Sequence, residues 1–391
     1  MFRKIARCMF SALLMLNFRA SGVNVTEMTL DEKLGQMIFL SFRRSNQNRE
    51  NIYETQDASS LSYFTEINDD IKISISKYHI GGIVLFGQNF VNKEQSKQLV
   101  KDLQDAAKKS GNPPLIVAVD QEGGRVERFT FGRERLKNNS EVKTSEEAFQ
   151  KGRIIAKELK EIGINCNLAP VVDINSNPDN PVINVRSFGN NADVVSLLGE
   201  SFLKGLHSEN IIATAKHFPG HGDTNVDSHF GLPVVNKNLN ELEKLELKPF
   251  EKLSKNGVDM IMTAHISLPN IESKTAISKK TGEKIYLPAT LSKTIISGIL
   301  RNKIGFNGVV ITDAMGMNAI SENFGEDEAS KMAINAGNDI LCMPVNIESK
   351  KDIAKLDELF KYLKDAVTNG EIPDEQINAS VTRTLKLKEK L

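Results

Sequence analysis

The stretch Ile211-Ile-Ala-Thr-Ala-Lys216-His-Phe-Pro-Gly-His-Gly222-Asp-Thr-Asn-Val-Asp227-Ser-His229 begins as a short apolar run and breaks into a loop loaded with titratable groups. It contains three of the six histidines in 391 residues, together with two aspartates and a lysine. Buried imidazoles and charges are costly unless partnered, so a purely structural loop has little reason to collect them. The run at 211–215 predicts a β-strand that delivers side chains to a reaction site at its C-terminal end.

The same design recurs along the chain. Apolar strand-like runs lie at 36–42, 82–86, 115–119, 165–172, 211–215, 260–264, 309–312 and 340–343, with amphipathic helical segments between them. Strands alternating with helices imply parallel βαβ units, and eight such units close a barrel. The expected fold is therefore α/β, a single (β/α)8 TIM-type barrel with loop insertions. Barrel sites lie at the C-terminal strand ends, and polar residues stand there: Asp120, Asp173, Lys216 and His217, His265, and Asp313. A doubly wound dinucleotide fold is the alternative, but only Gly123-Gly124 follows a strand, which is too little for a phosphate-binding fingerprint.

Helix end signals support this division. Thr29-Leu-Asp-Glu32 reads as a capping box. Ser145-Glu-Glu147 opens a helix ending at Gly163, and Asn238-Leu-Asn-Glu241 opens one ending at Gly257. Gly337 closes a helix that starts near Glu326. Residues 43–68 and 273–288 read as solvated loop insertions.

Composition narrows the function. Lys and Arg number 50 against 50 Asp and Glu, so the chain lacks the basic field that nucleic acid or an anionic membrane surface attracts. Cys8, Cys166 and Cys342 make no disulfide framework; the latter two sit in strand runs and read as buried free thiols. The N-terminus has a basic start, Met1 to Arg7, an apolar run from Cys8 to Leu16, and small residues at Ala20-Ser-Gly22. This reads as a signal peptide over residues 1–22 and predicts export to the periplasm or cell envelope, with the catalytic barrel filling 23–391. If the signal is not functional the protein is cytoplasmic. No other segment reaches the length of about 20 apolar residues that spans a bilayer.

Three constellations carry chemistry. Asp313, in Val309-Val-Ile-Thr-Asp-Ala-Met-Gly-Met317, ends an apolar strand and is followed by small residues, as a carboxylate nucleophile requires; the competing reading is a helix cap. Asp227 stands two residues before His229, where it can hold one imidazole nitrogen and leave the other for proton transfer. Asp120, Arg125 and Arg128, in Asp120-Gln-Glu-Gly-Gly-Arg-Val-Glu-Arg128, can clamp a polar ligand or form a structural ion network. Arg186 carries less signal by itself. His217 and His221 are spaced like metal ligands, but Pro219 and Gly220 between them oppose the helix that would align them, so no metal is expected.

Lys216-His-Phe-Pro-Gly-His-Gly222 with Asp227-Ser-His229, Asp120-Gln-Glu-Gly-Gly-Arg125 and Ile311-Thr-Asp-Ala-Met-Gly316 together resemble glycoside hydrolase family 3, in its β-N-acetylhexosaminidase branch. The resemblance covers about residues 28–391. It implies a (β/α)8 barrel without cofactor or metal, with Asp313 as nucleophile and His229 as acid/base assisted by Asp227. It further implies that Asp120, Arg128, Arg186, Lys216 and His217 hold the terminal sugar. The implied activity is that of an exo-acting, retaining β-N-acetylglucosaminidase, whose partner is a small oligosaccharide or muropeptide from peptidoglycan or chitin. Some members of the family carry a second α/β sandwich domain; this chain ends soon after its eighth strand, which implies a site built from barrel loops alone. The alternatives are a β-N-acetylglucosaminide phosphorylase, a β-glucosidase of the same family, and a non-catalytic sugar-binding barrel.

Overall fold

A computed structural model describes residues 24–42, 44–45, 62–225, 227–228, 231–347 and 350–391. The proposed signal peptide, most of the 43–68 insertion, and His229 lie outside the described residues.

Eight parallel strands form the barrel: β1 (Ile38–Leu40), β2 (Gly82–Leu85), β3 (Ile116–Val119), β4 (Cys166–Asn167), β5 (Ile212–Phe218), β6 (Met260–Thr263), β7 (Val309–Thr312) and β8 (Leu341–Cys342). Each pairs in parallel with its sequence neighbour from β1 to β7. Strand β8 pairs with β1, and a bridge between Ile311 and Ile340 joins it to β7, so the sheet closes on itself. This is the (β/α)8 barrel expected from the eight apolar runs.

Both faces of every strand are buried, and successive residues alternate between them. Val84, Ile116, Ala118, Cys166, Ile212, Met260, Met262, Val309 and Ile311 fill the barrel interior. Ile83, Leu85, Val117, Val119, Ala213, Ala215, Ile261 and Val310 face outward and pack in the core shared with the helices. This two-residue period decides where the site forms. Counting in steps of two from Ile116, Ile212 and Val309 reaches Asp120, Lys216 and Asp313, all on the inner face at the mouth.

Two strands differ from expectation. Strand β4 is short because Pro170 has no N–H to continue the ladder. The backbone still takes donors from β5, Thr214 N–H on Ala169 O and Lys216 N–H on Pro170 O. Strand β5 runs on through Lys216, His217 and Phe218, with a register shift between Lys216 and Phe218 against β6. The shift breaks the alternation, so that Lys216 and His217 both line the mouth while Phe218 returns to the outer core.

The capping boxes at Thr29/Glu32 and Asn238/Glu241 form, and Thr144 with Glu147 caps helix Ser145–Glu161. Gly163, Gly257 and Gly337 all take positive φ just past their helices. The helix opened at Asn238 is interrupted, however, as Leu239–Lys244 and Leu247–Lys255. Pro249 cannot donate to the carbonyl of Leu245 and its ring crowds it, so Leu245 leaves helical geometry with φ −133° and ψ −82°. The Lys-rich insertion at 273–288 is an antiparallel hairpin, Thr275–Ile277 against Lys284–Tyr286, rather than a loop. No helix among the described residues is long and apolar enough to cross a membrane.

Candidate active site

The mouth of the barrel encloses a cavity of about 220 Å³. Val84, Leu168, Met262, Cys342 and Met343 form an apolar floor, and Asp120, Glu122, Arg128, Arg186, Lys216, His217 and Asp313 supply its polar wall. The volume lies below the ~300 Å³ at which pockets for drug-sized ligands begin, so it suits one small polar molecule.

One wall is a continuous ion network. Lys216 Nζ lies 2.6 Å from Asp120 Oδ1 and 2.8 Å from Glu122 Oε1. Arg186 donates to both oxygens of Glu122, at 2.9 and 2.7 Å. Arg128 reaches Asp120 Oδ2 at 3.3 Å and lies over the Phe86 ring, 5.5 Å from its centroid. Burial pushes both carboxyls toward neutrality, but the cations outweigh it. Lys216 and Arg128 hold Asp120 below the usual carboxylate range, and Arg186 and Lys216 do the same for Glu122. Burial in turn opposes the charge on Lys216, but Asp120 and Glu122 keep its basicity above the ordinary lysine value. The wall is therefore ionised throughout and presents fixed acceptors and donors.

Local sequence explains this wall. Asp120 ends the inner face of β3, and the backbone folds back so that Glu122 N–H donates to Val126 O at 2.9 Å. Gly123 and Gly124 make that turn with φ of +80° and +68°. A Cβ on Gly124 would sit 2.4 Å from Asn138 Oδ1 and 2.7 Å from Asn138 Cα, so a side chain is excluded there on steric grounds as well. Arg125, proposed from sequence as part of the clamp, is exposed and turns to the Pro181 carbonyl at 3.3 Å. Glu122 takes its place in the network. Its sequence signal was its even spacing from Asp120, which keeps it on the same side as the inner-facing residues.

His217 is ordered by Asp173, a strand-end residue to which sequence reading gave no role. The fully buried Asp173 accepts from His217 Nδ1 at 2.6 Å, His217 N–H at 3.1 Å and His221 N–H at 2.7 Å. Burial would raise the Asp173 carboxyl, but His217 foremost holds it lowered, so it is an anion that only accepts. Nδ1 therefore carries a proton, and Nε2 is the ring nitrogen that Asp173 does not occupy. His221 is kept neutral, its pKa lowered to about 4 by burial and then by His217. Its Nδ1 lies 2.9 Å from Thr224 Oγ1 and its Nε2 3.3 Å from Ser228 Oγ. Among the described residues, no three His, Cys, Asp or Glu side chains converge as a metal site.

Asp313 stands at the end of β7. Ala314 N–H donates to its Oδ1 at 2.7 Å, and its own N–H is held by Thr263 O at 3.0 Å. Burial opposes ionisation here too, yet His265 and His217, then the Ala314 N–H and Lys216, hold its pKa down to about 2. It is an anion at neutral pH. Next to Asp227, Ser228 lines the cavity and its carbonyl accepts from Ala319 N–H at 3.3 Å.

Of the residues proposed from sequence, the structure therefore gathers Asp120, Arg128, Arg186, Lys216, His217 and Asp313 around one cavity. Asp227 is half-buried beside Ser228, and His229 lies outside the described residues.

The chain as a whole has known relatives. The profile of the glycosyl hydrolase family 3 N terminal domain matches residues 29–387, and the chain belongs to that family. A beta-hexosaminidase A from Pseudoalteromonas piscicida is 38% identical over 375 residues, covering 93% of this chain and 62% of the relative. A beta-hexosaminidase from Tolumonas auensis is 35% identical over 268 residues, 67% of this chain and 75% of the relative. Among solved structures, a glycoside hydrolase family 3 beta-N-acetylglucosaminidase from Paenibacillus sp. str. FPU-7 superposes with a TM-score of 0.80 at 37% identity, over 93% of this chain and 62% of that one. The chain thus spans less than two thirds of the length of the Pseudoalteromonas and Paenibacillus proteins.

Proposed function

We propose that the protein is an exo-acting β-N-acetylglucosaminidase that retains configuration through a covalent glycosyl-Asp313 intermediate. The observation that carries this reading is Asp313 itself: an ionised carboxylate at the mouth of a cavity sized for one sugar, facing a preformed wall of charged hydrogen-bonding groups. A nucleophile must be deprotonated and unencumbered on one oxygen, and Ala314 N–H occupies only Oδ1. The name of the Paenibacillus protein, a beta-N-acetylglucosaminidase, supports the acetamido sugar as substrate.

In the first step a carboxylate oxygen of Asp313 attacks the anomeric carbon as the bond to the leaving oxygen breaks, and that oxygen takes a proton from His229. In the second step neutral His229 accepts a proton from water, whose oxygen displaces Asp313 and restores the starting configuration. An imidazole with pKa of about 6.5 suits both roles near neutrality, and Asp227, two residues away, orients it. Asp120 accepts sugar hydroxyls while Arg128, Arg186 and Lys216 fix its direction. His217 offers Nε2 to another hydroxyl. The substrates are peptidoglycan or chitin fragments bearing a non-reducing terminal N-acetylglucosamine, met outside the cytoplasm by a chain processed near residue 22, with one catalytic barrel filling the remainder.

The test is hydrolysis of a chromogenic β-N-acetylglucosaminide and the matching β-glucoside, with and without phosphate. The acetamido sugar should be preferred, phosphate should not accelerate turnover, and Asp313→Ala and His229→Ala should each lose activity. Unchanged activity in Asp313→Ala overturns the assignment; strong acceleration by phosphate makes the protein a phosphorylase; equal rates on the glucoside remove the specificity. An intact Met1 on the native protein contradicts export.

A further inference from the structure

His265 stands two residues beyond β6, is fully buried, and is not among the residues that line the cavity. Its Nε2 is 3.0 Å from the carbonyl of Ala314, and its Nδ1 is 2.9 Å from Thr290 Oγ1. A carbonyl only accepts, so Nε2 carries a proton whatever the charge of the ring. The Thr290 hydroxyl also lies 2.9 Å from Ala264 O. Thr263 Oγ1 stands 3.3 Å from the same hydroxyl and 3.1 Å from Asn338 Oδ1, and Asn338 donates to Thr290 O at 2.9 Å. Thr263, His265, Thr290 and Asn338 are all 0% exposed. A buried polar network offsets its desolvation only when its members are hydrogen-bonded. Each of these four side chains has a hydrogen-bond partner, and the network reaches the residue next to Asp313.

Ala314 is gripped at both ends: its carbonyl accepts from His265, and its N–H donates to Asp313 Oδ1 at 2.7 Å. Strand β8 braces the next residue, with Met315 N–H on Cys342 O at 2.9 Å. We propose that His265 is a positioning residue for the nucleophile: by fixing Ala314 it keeps that N–H on Oδ1, reserving Oδ2 for the anomeric carbon. The inference rests on the reading of Asp313 as nucleophile. His265, beyond the end of β6, lowers the Asp313 pKa more than His217 and Lys216 of β5 do. His221, in the turn after β5, also interacts with Asp313.

The test compares His265→Leu, His265→Gln and Thr290→Val with wild type and Asp313→Ala, using a nitrophenyl β-N-acetylglucosaminide. Melting temperatures confirm folding, and kcat, KM and the pH profile of kcat/KM are measured for each. Misplacing a reacting group by about 1 Å costs roughly 10²-fold, so kcat of His265→Leu should fall by about that factor with KM little changed. Its acid limb should move to higher pH by about one unit, because Asp313 must be ionised to attack and one of its supports is gone. Gln places an amide N–H near the former Nε2, so His265→Gln should recover most of kcat. Thr290→Val, which lets the ring swing, should lower kcat without raising KM. A folded His265→Leu with wild-type kcat and acid limb overturns the inference while Asp313→Ala remains inactive. Should His265→Leu not fold, Thr290→Val decides: unchanged kcat and acid limb overturn it. Full activity in Asp313→Ala defeats the nucleophile reading and this inference together.

Discussion

Lys216→Met removes the cation that joins the two carboxylates of the cavity wall. Glu122 keeps two bonds from Arg186, at 2.9 and 2.7 Å. Asp120 keeps only Arg128 at 3.3 Å, a side chain 32% exposed. The damage therefore falls on Asp120. Removing one partner of a buried pair typically costs 3–5 kcal/mol, and the surviving Arg128 contact places this case near ~3 kcal/mol. Adding Asp120→Asn abolishes the orphaned charge, so the double variant should be more stable than Lys216→Met alone by ~1 kcal/mol or more, although neither turns over substrate well. The pH dependence has a definite sign. In the wild type the Asp120 pKa is lowered, so its contribution is present above the ordinary carboxylate range and lost on acidification. In Lys216→Met burial raises that pKa, and protonation relieves the orphaned charge. The stability gap between variant and wild type should therefore narrow from neutral pH toward the ordinary carboxylate range. Urea denaturation at a series of pH values measures this. A single variant as stable as wild type at neutral pH, or a double variant no more stable than the single, refutes the network as described.

Two further outcomes follow from other parts of the molecule. Lys388, 3% exposed and bonded to Gln36 Oε1 at 2.7 Å, has its pKa lowered by burial to about 7. Between that value and the ordinary 10.5 the unfolded chain binds more protons, so wild-type stability should rise with pH across the window. Lys388→Met should remove the rise and stabilise the protein below neutrality by a few kcal/mol, read from melting temperature against pH. Asp173→Asn should destabilise by ~2 kcal/mol and raise KM more than it lowers kcat, because an amide oxygen replaces an anion that three N–H groups share. Denaturation and steady-state kinetics on the same preparation check both parts.

The barrel was legible because both faces of each strand are apolar and the runs recur between well-capped helices. The polar residues at strand ends were legible for the same reason, since two-residue periodicity carries Asp120, Lys216 and Asp313 to one face. What escaped was set by three-dimensional partners. The shift between Lys216 and Phe218 exists only as a register against β6, so 216–218 read as loop. The break at Leu245 followed from Pro249 in the next turn, which the capping signals at Asn238 and Gly257 masked. Glu122 sat inside a motif already singled out, but its pairing with Arg186 spans 64 residues. Arg125 offered the same charge as Arg128 and nothing local to tell them apart. Asp173 and His265 were visible as strand-end residues, but their roles depend on His217 and Ala314, which only the closed barrel brings to them.

Covalent glycosylation of Asp313, as proposed, can be observed directly. Wild-type protein incubated with 2-acetamido-2-deoxy-5-fluoro-glucosyl fluoride, which loads a retaining enzyme and leaves it slowly, should gain the mass of one sugar. Peptide mapping should place that sugar on Asp313, and Asp313→Ala should gain none. A sugar on Asp120 or Glu122, or an unlabelled wild type that still turns over the chromogenic substrate, contradicts the account.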